Sequence, residues 1–105
     1  MQTRLQQLKE MLVQEPNDVF LQYAIAVEYF AGKEFEQALS CLLTILKTNP
    51  DYLPAYYQTG KCYEELRQIE SAKDMYKQGI ELAVKQGKAK TVNELKEALF
   101  FLEEE

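Results

Sequence analysis

Apolar side chains recur along this chain at steps of three and four residues, the spacing that gathers them on one side of a helix. No segment keeps the strict apolar–polar alternation of a half-buried strand. The periodicity breaks near Pro16-Asn17-Asp18, Gly32-Lys33, Asn49-Pro50-Asp51, Arg67-Gln68 and Gly87-Lys88. An all-α chain is therefore expected, with helices over 3–15, 18–31, 35–48, 53–66, 69–86 and 92–103. Pro54 fits a first helical turn, where a missing N–H costs little. Gly87 suits the end of the fifth helix. Thr91 and Glu94 have the spacing of a capping box, which predicts that the last helix starts beside them.

The pattern also repeats. Shifted by 34 residues, Pro16 falls on Pro50, Tyr23 on Tyr57, Tyr29 on Tyr63, Glu36 on Glu70 and Ala38 on Ala72. Ala26 falls on Gly60, Phe35 on Ile69 and Leu46 on Ile80, so size or character is kept where identity is not. The order Ile25-Ala26, Tyr29, Ala38, Leu42, Ile45, Pro50 resembles a tetratricopeptide repeat, and so does Tyr56, Thr59-Gly60, Tyr63, Ala72, Tyr76, Gly79. Small Ala26, Ala38, Gly60 and Ala72 would let paired helices approach closely, with Tyr29 and Tyr63 filling the space beside them.

The resemblance implies a right-handed superhelix of antiparallel helix pairs, in one domain over 1–105. Its parts are an N-terminal half-repeat helix at 3–16, repeats at 19–52 and 53–86, and a closing helix at 92–103. Two positions depart from the family pattern. Val84 stands where a proline would end the second repeat, and Gln22 where the family often has an aromatic residue. The missing proline predicts a long fifth helix and a late start for the sixth, which places Ala98 and Phe101 at the small and large packing positions.

Composition narrows the function. The chain has 105 residues, 47% apolar and 28% charged, enough for one ordinary core without disulfide or metal staples. No run of about 18 apolar residues occurs, so no membrane span is expected. The opening residues lack the apolar centre of a secretory signal, which makes the cytoplasm the expected location. The net charge of −5 argues against nucleic acid, whose binding relies on lysine and arginine. Lys73, Lys77, Lys85, Lys88 and Lys90 do gather, but Asp74 and Glu81 dilute them. There is no histidine, and Cys41 and Cys62 stand far apart, so neither a zinc site nor any cofactor is expected. No phosphate-binding loop, nucleophile turn or Cys–His pair is present, and the chain is not expected to be an enzyme. Glu103-Glu104-Glu105 reads as a frayed, solubilising end.

The second predicted helix carries the most functional information. Beside its packing side, with Gln22, Ile25, Ala26 and Tyr29, runs a second apolar side made of Phe20, Tyr23, Val27 and Phe30. The resemblance implies that this side lines a concave surface where partner peptides bind, with Pro54, Tyr57, Lys61 and Glu64 as its continuation in the next repeat. Three readings stay open: a groove for another polypeptide, a homodimer face, or core covered by the apolar seam Val92, Leu95, Leu99 and Leu102. The expected function is a non-catalytic scaffold or adaptor for a protein or peptide partner. A self-assembling homodimer and an accessory subunit of an enzyme complex are the alternatives. The family's carboxylate-clamping subgroup places Lys, Arg and Asn at positions resembling Tyr23, Val27, Tyr57 and Lys61. Only Lys61 matches, so that specificity is not carried over.

Overall fold

The computed structural model describes residues 1–104; Glu105, the last of the acidic end, lies outside the described residues. Six helices are present among the described residues: α1 (Arg4–Gln14), α2 (Val19–Ala31), α3 (Phe35–Thr48), α4 (Pro54–Glu65), α5 (Ile69–Gln86) and α6 (Ala89–Glu103). No strand occurs among the described residues. Each helix packs mainly on its neighbours in sequence, so the chain is a stack of antiparallel helices rather than a closed bundle.

Local chemistry sets the boundaries. The side chain of Thr3 accepts from the N–H of Gln6, and the Gln6 side chain returns the bond to the backbone of Thr3, a complete capping box for α1. Asp18 caps α2 by accepting from the N–H of Leu21 at 3.1 Å. Pro54 opens α4 as expected.

Three turns are built alike. Lys33 (φ 61°), Arg67 (φ 63°) and Gly87 (φ 68°) adopt the left-handed conformation. The residue after each donates back across the turn: Glu34 to the Tyr29 carbonyl, Gln68 to Tyr63 and Lys88 to Ala83, each at 2.9 Å. The left-handed residue of the first turn is Lys33, because Gly32 keeps an ordinary φ of −84°.

This third turn corrects the expected start of α6. The N–H of Val92 already donates to the Lys88 carbonyl at 3.0 Å, so the helix begins at Ala89 and Thr91 lies inside its first turn. The N-cap is Lys88, with no side-chain bond, and the Thr91–Glu94 capping box does not form. The interval from Pro54 to Ala89 is 35 residues, as is the interval from Val19 to Pro54, so α6 is not late. Its earlier start rotates other residues inward. Leu95 is fully buried and Leu102 nearly so, whereas Phe101, expected at a packing position, is 61% exposed. Ala98 is half-buried. The helix continues through Glu103, the first residue of the acidic end.

The core runs along the stack in three patches. Leu8 of α1 meets Leu21 and Ile25 of α2. Ala26, Ala38, Leu42, Ile45, Ala55 and Cys62 form the middle patch. Leu53, Ala72, Tyr76, Ala83, Leu95 and Leu102 form the third. Ala26, Ala38 and Ala72 have no exposed surface, which is the close helix approach expected of them. Gly60 is the tightest case. A Cβ there would sit among the ring atoms of Tyr76, with Cζ at 2.6 Å.

The alanine variant of Gly60 is therefore expected to overpack α4 against α5 and cost about 1–3 kcal/mol, a fall in Tm of about 4–8 °C per kcal/mol for a domain of this size. Gly32→Ala is the contrasting case, since its Cβ would meet nothing closer than 3.6 Å at a permitted φ. It is expected to stabilise by about 0.4–1 kcal/mol. Thermal melts of both variants check the pair; equal Tm values would mean that the Gly60–Tyr76 contact does not hold the helices at this spacing.

Candidate functional site

The alternate helices α2, α4 and α6 share one face of the stack. Between them lies a groove of about 280 Å³ lined by Tyr23, Leu53, Pro54, Tyr57, Thr91 and Glu94. Each repeat places a tyrosine at the same turn of its first helix, so Tyr23 and Tyr57 arrive side by side through the 34-residue register. The same interval continues to Thr91.

The structure distributes the expected site residues as follows. Tyr23 is half-buried, its ring edge-on to Tyr52 with centroids 5.4 Å apart. Tyr57 is half-buried against Tyr76, 6.0 Å between centroids. The Lys61 ammonium stands 5.4 Å from the centre of the Tyr57 ring and 3.7 Å from the Glu64 carboxylate. Phe20, one helical turn before Tyr23 on α2, is 68% exposed and is not among the residues that line the groove. Val27 is half-buried, and Phe30 turns its ring edge-on to Phe35, 5.1 Å away, at the far end of α2. Tyr23 and Tyr57 are thus brought together, and Phe30 is drawn toward the hairpin turn.

The apolar seam of α6 packs into the third patch, which Tyr57 also adjoins, and not into the middle patch, which Tyr23 and Phe30 adjoin. Leu95 and Leu102 pack into the patch with Tyr76 and Ala83, flanked by Val92 and Leu99, and α6 rests mainly on α5. Toward the groove α6 offers Thr91 and Glu94 instead. Sequence reasoning missed these two because it started α6 late; the strict count of 34 from Tyr57 reaches Thr91 and was the signal available.

Titration behaviour follows from burial. The Tyr23 phenol is pushed above its ordinary value, chiefly by burial and then by Tyr52. Burial likewise pushes the Cys62 thiol up to about 11, with Glu65 adding to it, and raises Cys41. Both cysteines are free. The Tyr76 phenol is raised further, by burial first and then by the Glu64 carboxylate that accepts its hydroxyl proton. Among the described residues no group of three or more His, Cys, Asp or Glu side chains is placed to hold a metal ion, and no helix is long and apolar enough to cross a membrane. On the other side of α2, Leu12, Gln22, Ile25, Ser40, Cys41 and Thr44 line a second hollow. There Gln22, at the position where an aromatic residue was the family pattern, donates to the Pro16 carbonyl at 2.9 Å.

Comparison with known proteins agrees with this architecture. A family profile described as tetratricopeptide repeat matches residues 1–66, and a second of the same description matches residues 53–83. Anaphase-promoting complex subunit 3 of Dictyostelium discoideum is 28% identical over 68 residues, which is 65% of this chain but 7% of that protein. A tetratricopeptide repeat domain protein from Salinibacter ruber is 39% identical, with a TM-score of 0.79 over 84% of this chain and 89% of that one. A protein from Bordetella parapertussis, 26% identical, superposes with a TM-score of 0.89 over 99% of this chain and 90% of its own.

The Tyr76–Glu64 bond gives a pH test. A phenol whose folded-state value is raised contributes stability that is complete below the unfolded value of 10.0 and is lost as pH rises beyond it. Urea midpoints of the wild type are expected to fall between about pH 9 and about pH 11. Tyr76→Phe is expected to lose about 1 kcal/mol at neutral pH, with a shallower alkaline decline. Tyr23, Tyr52, Tyr56 and Cys62 shift in the same direction and account for the slope that remains. An unchanged slope in Tyr76→Phe would show that the folded chain does not hold the Tyr76 phenol above its unfolded value.

Proposed function

This chain belongs to the tetratricopeptide repeat family, and we propose that it is a non-catalytic scaffold that holds an extended segment of a partner protein along the face made by α2, α4 and α6. The observation that carries the reading is the open groove with two tyrosine rings, Tyr23 and Tyr57, together with exposed Phe20 one helical turn before Tyr23. Exposed aromatic side chains around a hollow are the commonest energetic anchors of protein interfaces. Tyr23, Val27, Phe30 and Lys61 complete the proposed face, with Lys61 orienting Tyr57. The Dictyostelium relative is by name a subunit of a complex, which suits a repeat segment that works within an assembly. Two unpaired thiols suit a reducing compartment such as the cytoplasm.

A second reading has its own support. Phe100 and Phe101 are 57% and 61% exposed and stack edge-to-face on the last helix. A homodimer formed there would extend the stack from one copy to the next. It predicts a melting temperature that rises with protein concentration.

Mutants separate these readings. Tyr23→Ala is a poor probe, because the ring also packs on Tyr52 and its loss would disturb the fold. Phe20→Ala removes a ring that is mostly in solvent, so stability is expected to stay within about 0.5 kcal/mol. A partner recovered from native extract and then purified is expected to bind Phe20→Ala about tenfold more weakly than wild type, by titration calorimetry. An affinity of Phe20→Ala equal to that of the wild type would overturn the groove reading.

A further inference from the structure

The groove contains one charged side chain among those that line it, and it is a carboxylate, Glu94. Among the described residues no lysine or arginine forms an ion pair with it. Lys90, one helical turn earlier, does not. Lys61 is committed elsewhere, to the Glu64 carboxylate and the face of the Tyr57 ring. Tyr23, Tyr57 and Thr91 line the same hollow as Glu94.

Aromatic faces and an unpaired carboxylate around one hollow complement a cation on an apolar stem. An acidic segment would bring like charge to Glu94 and find no free cation at the groove. The chain's net charge of −5 favours approach of a basic segment from a distance as well.

From this charge pattern, and resting on the groove reading above, we propose that the occupant is a partner-protein segment with a lysine or arginine beside apolar residues. The basic side chain enters between Tyr23 and Tyr57, with its head at Glu94. The apolar neighbours lie on Phe20 at the α2 end. Glu94 thus sets specificity, and the tyrosines supply the surface for the stem. The pairing is partly wet, so its effect on affinity is modest while its effect on partner choice is not.

The test uses random dodecapeptides displayed on phage, selected on the immobilised full chain. Selected peptides are then made synthetically with a fluorescent label and titrated by anisotropy. Each is compared with a version whose lysine or arginine is replaced by norleucine, against wild type and Glu94→Gln. Glu94 is exposed, so Glu94→Gln is expected to fold normally, which its thermal melt verifies. Selected sequences should carry lysine or arginine next to an apolar residue. Norleucine should weaken binding to wild type about fivefold and binding to Glu94→Gln less than about twofold.

Neutral or acidic selected peptides that still lose affinity with Phe20→Ala would overturn the basic-segment proposal and leave the groove reading standing. So would an equal norleucine loss in wild type and Glu94→Gln. Peptides indifferent to both Phe20→Ala and Glu94→Gln would overturn the groove reading and this proposal together, as would a selection that recovers no binder.

Discussion

A tyrosine ring occupies the place where residue 60 would otherwise carry a side chain. Tyr76 is fully buried, and its ring lies against the bare Cα of Gly60, which fixes how closely α5 approaches α4. The consequences run outward from that contact. With its ring held there, the Tyr76 hydroxyl reaches the Glu64 carboxylate on the neighbouring helix. Glu64 in turn holds Lys61, and Lys61 stands over the ring of Tyr57 at the edge of the groove. One packing constraint in the core thereby positions an aromatic side chain on the surface where a partner is proposed to bind. In the preceding repeat Ala26 and Ala38, with no exposed surface, make the corresponding close approach between α2 and α3.

The turns convert this packing into a stack. Lys33, Arg67 and Gly87 each reverse the chain through one left-handed residue, so successive hairpins leave their turns with the same geometry. Only the last of the three is a glycine. The lysine and arginine accept a conformation that costs an ordinary residue about 1–2 kcal/mol, which the bond closed across each turn and the burial beyond it offset. Because the third turn resembles the other two, α6 joins the stack at the usual interval. Its apolar seam packs into the third patch, and Thr91 and Glu94 line the groove.

The breaks in apolar periodicity located α1 to α5 to within one residue, and the 34-residue register rests on positions where size is dictated by packing: Ala26, Ala38, Gly60 and Ala72. It also placed Tyr23 and Tyr57 on one face. The expected boundary went wrong at α6. Thr91 and Glu94 have capping-box spacing, but a cap forms only where the chain enters a helix, and the bond from Lys88 to Ala83 brings the chain in earlier. A local motif was outweighed by the turn before it. The glutamate that burial arguments kept away from the packing position sits at the groove, where its charge has solvent and a use. Phe101, assigned to the interior, is exposed for the same reason. The degree to which Tyr23 packs on Tyr52 was not legible, since it depends on where the loop before α4 places Tyr52.

The central claim is that the face of α2, α4 and α6 meets another polypeptide, and hydroxyl-radical footprinting of the chain with and without its partner tests it most directly. The method reads side-chain exposure, and the side chains at issue are readily oxidised. Partner binding is predicted to protect Phe20 and Tyr57, while Met11 and Val84, exposed away from the groove, keep their reactivity. Undiminished oxidation of Phe20 and Tyr57 in the complex, with protection confined to Phe100 and Phe101, would contradict it.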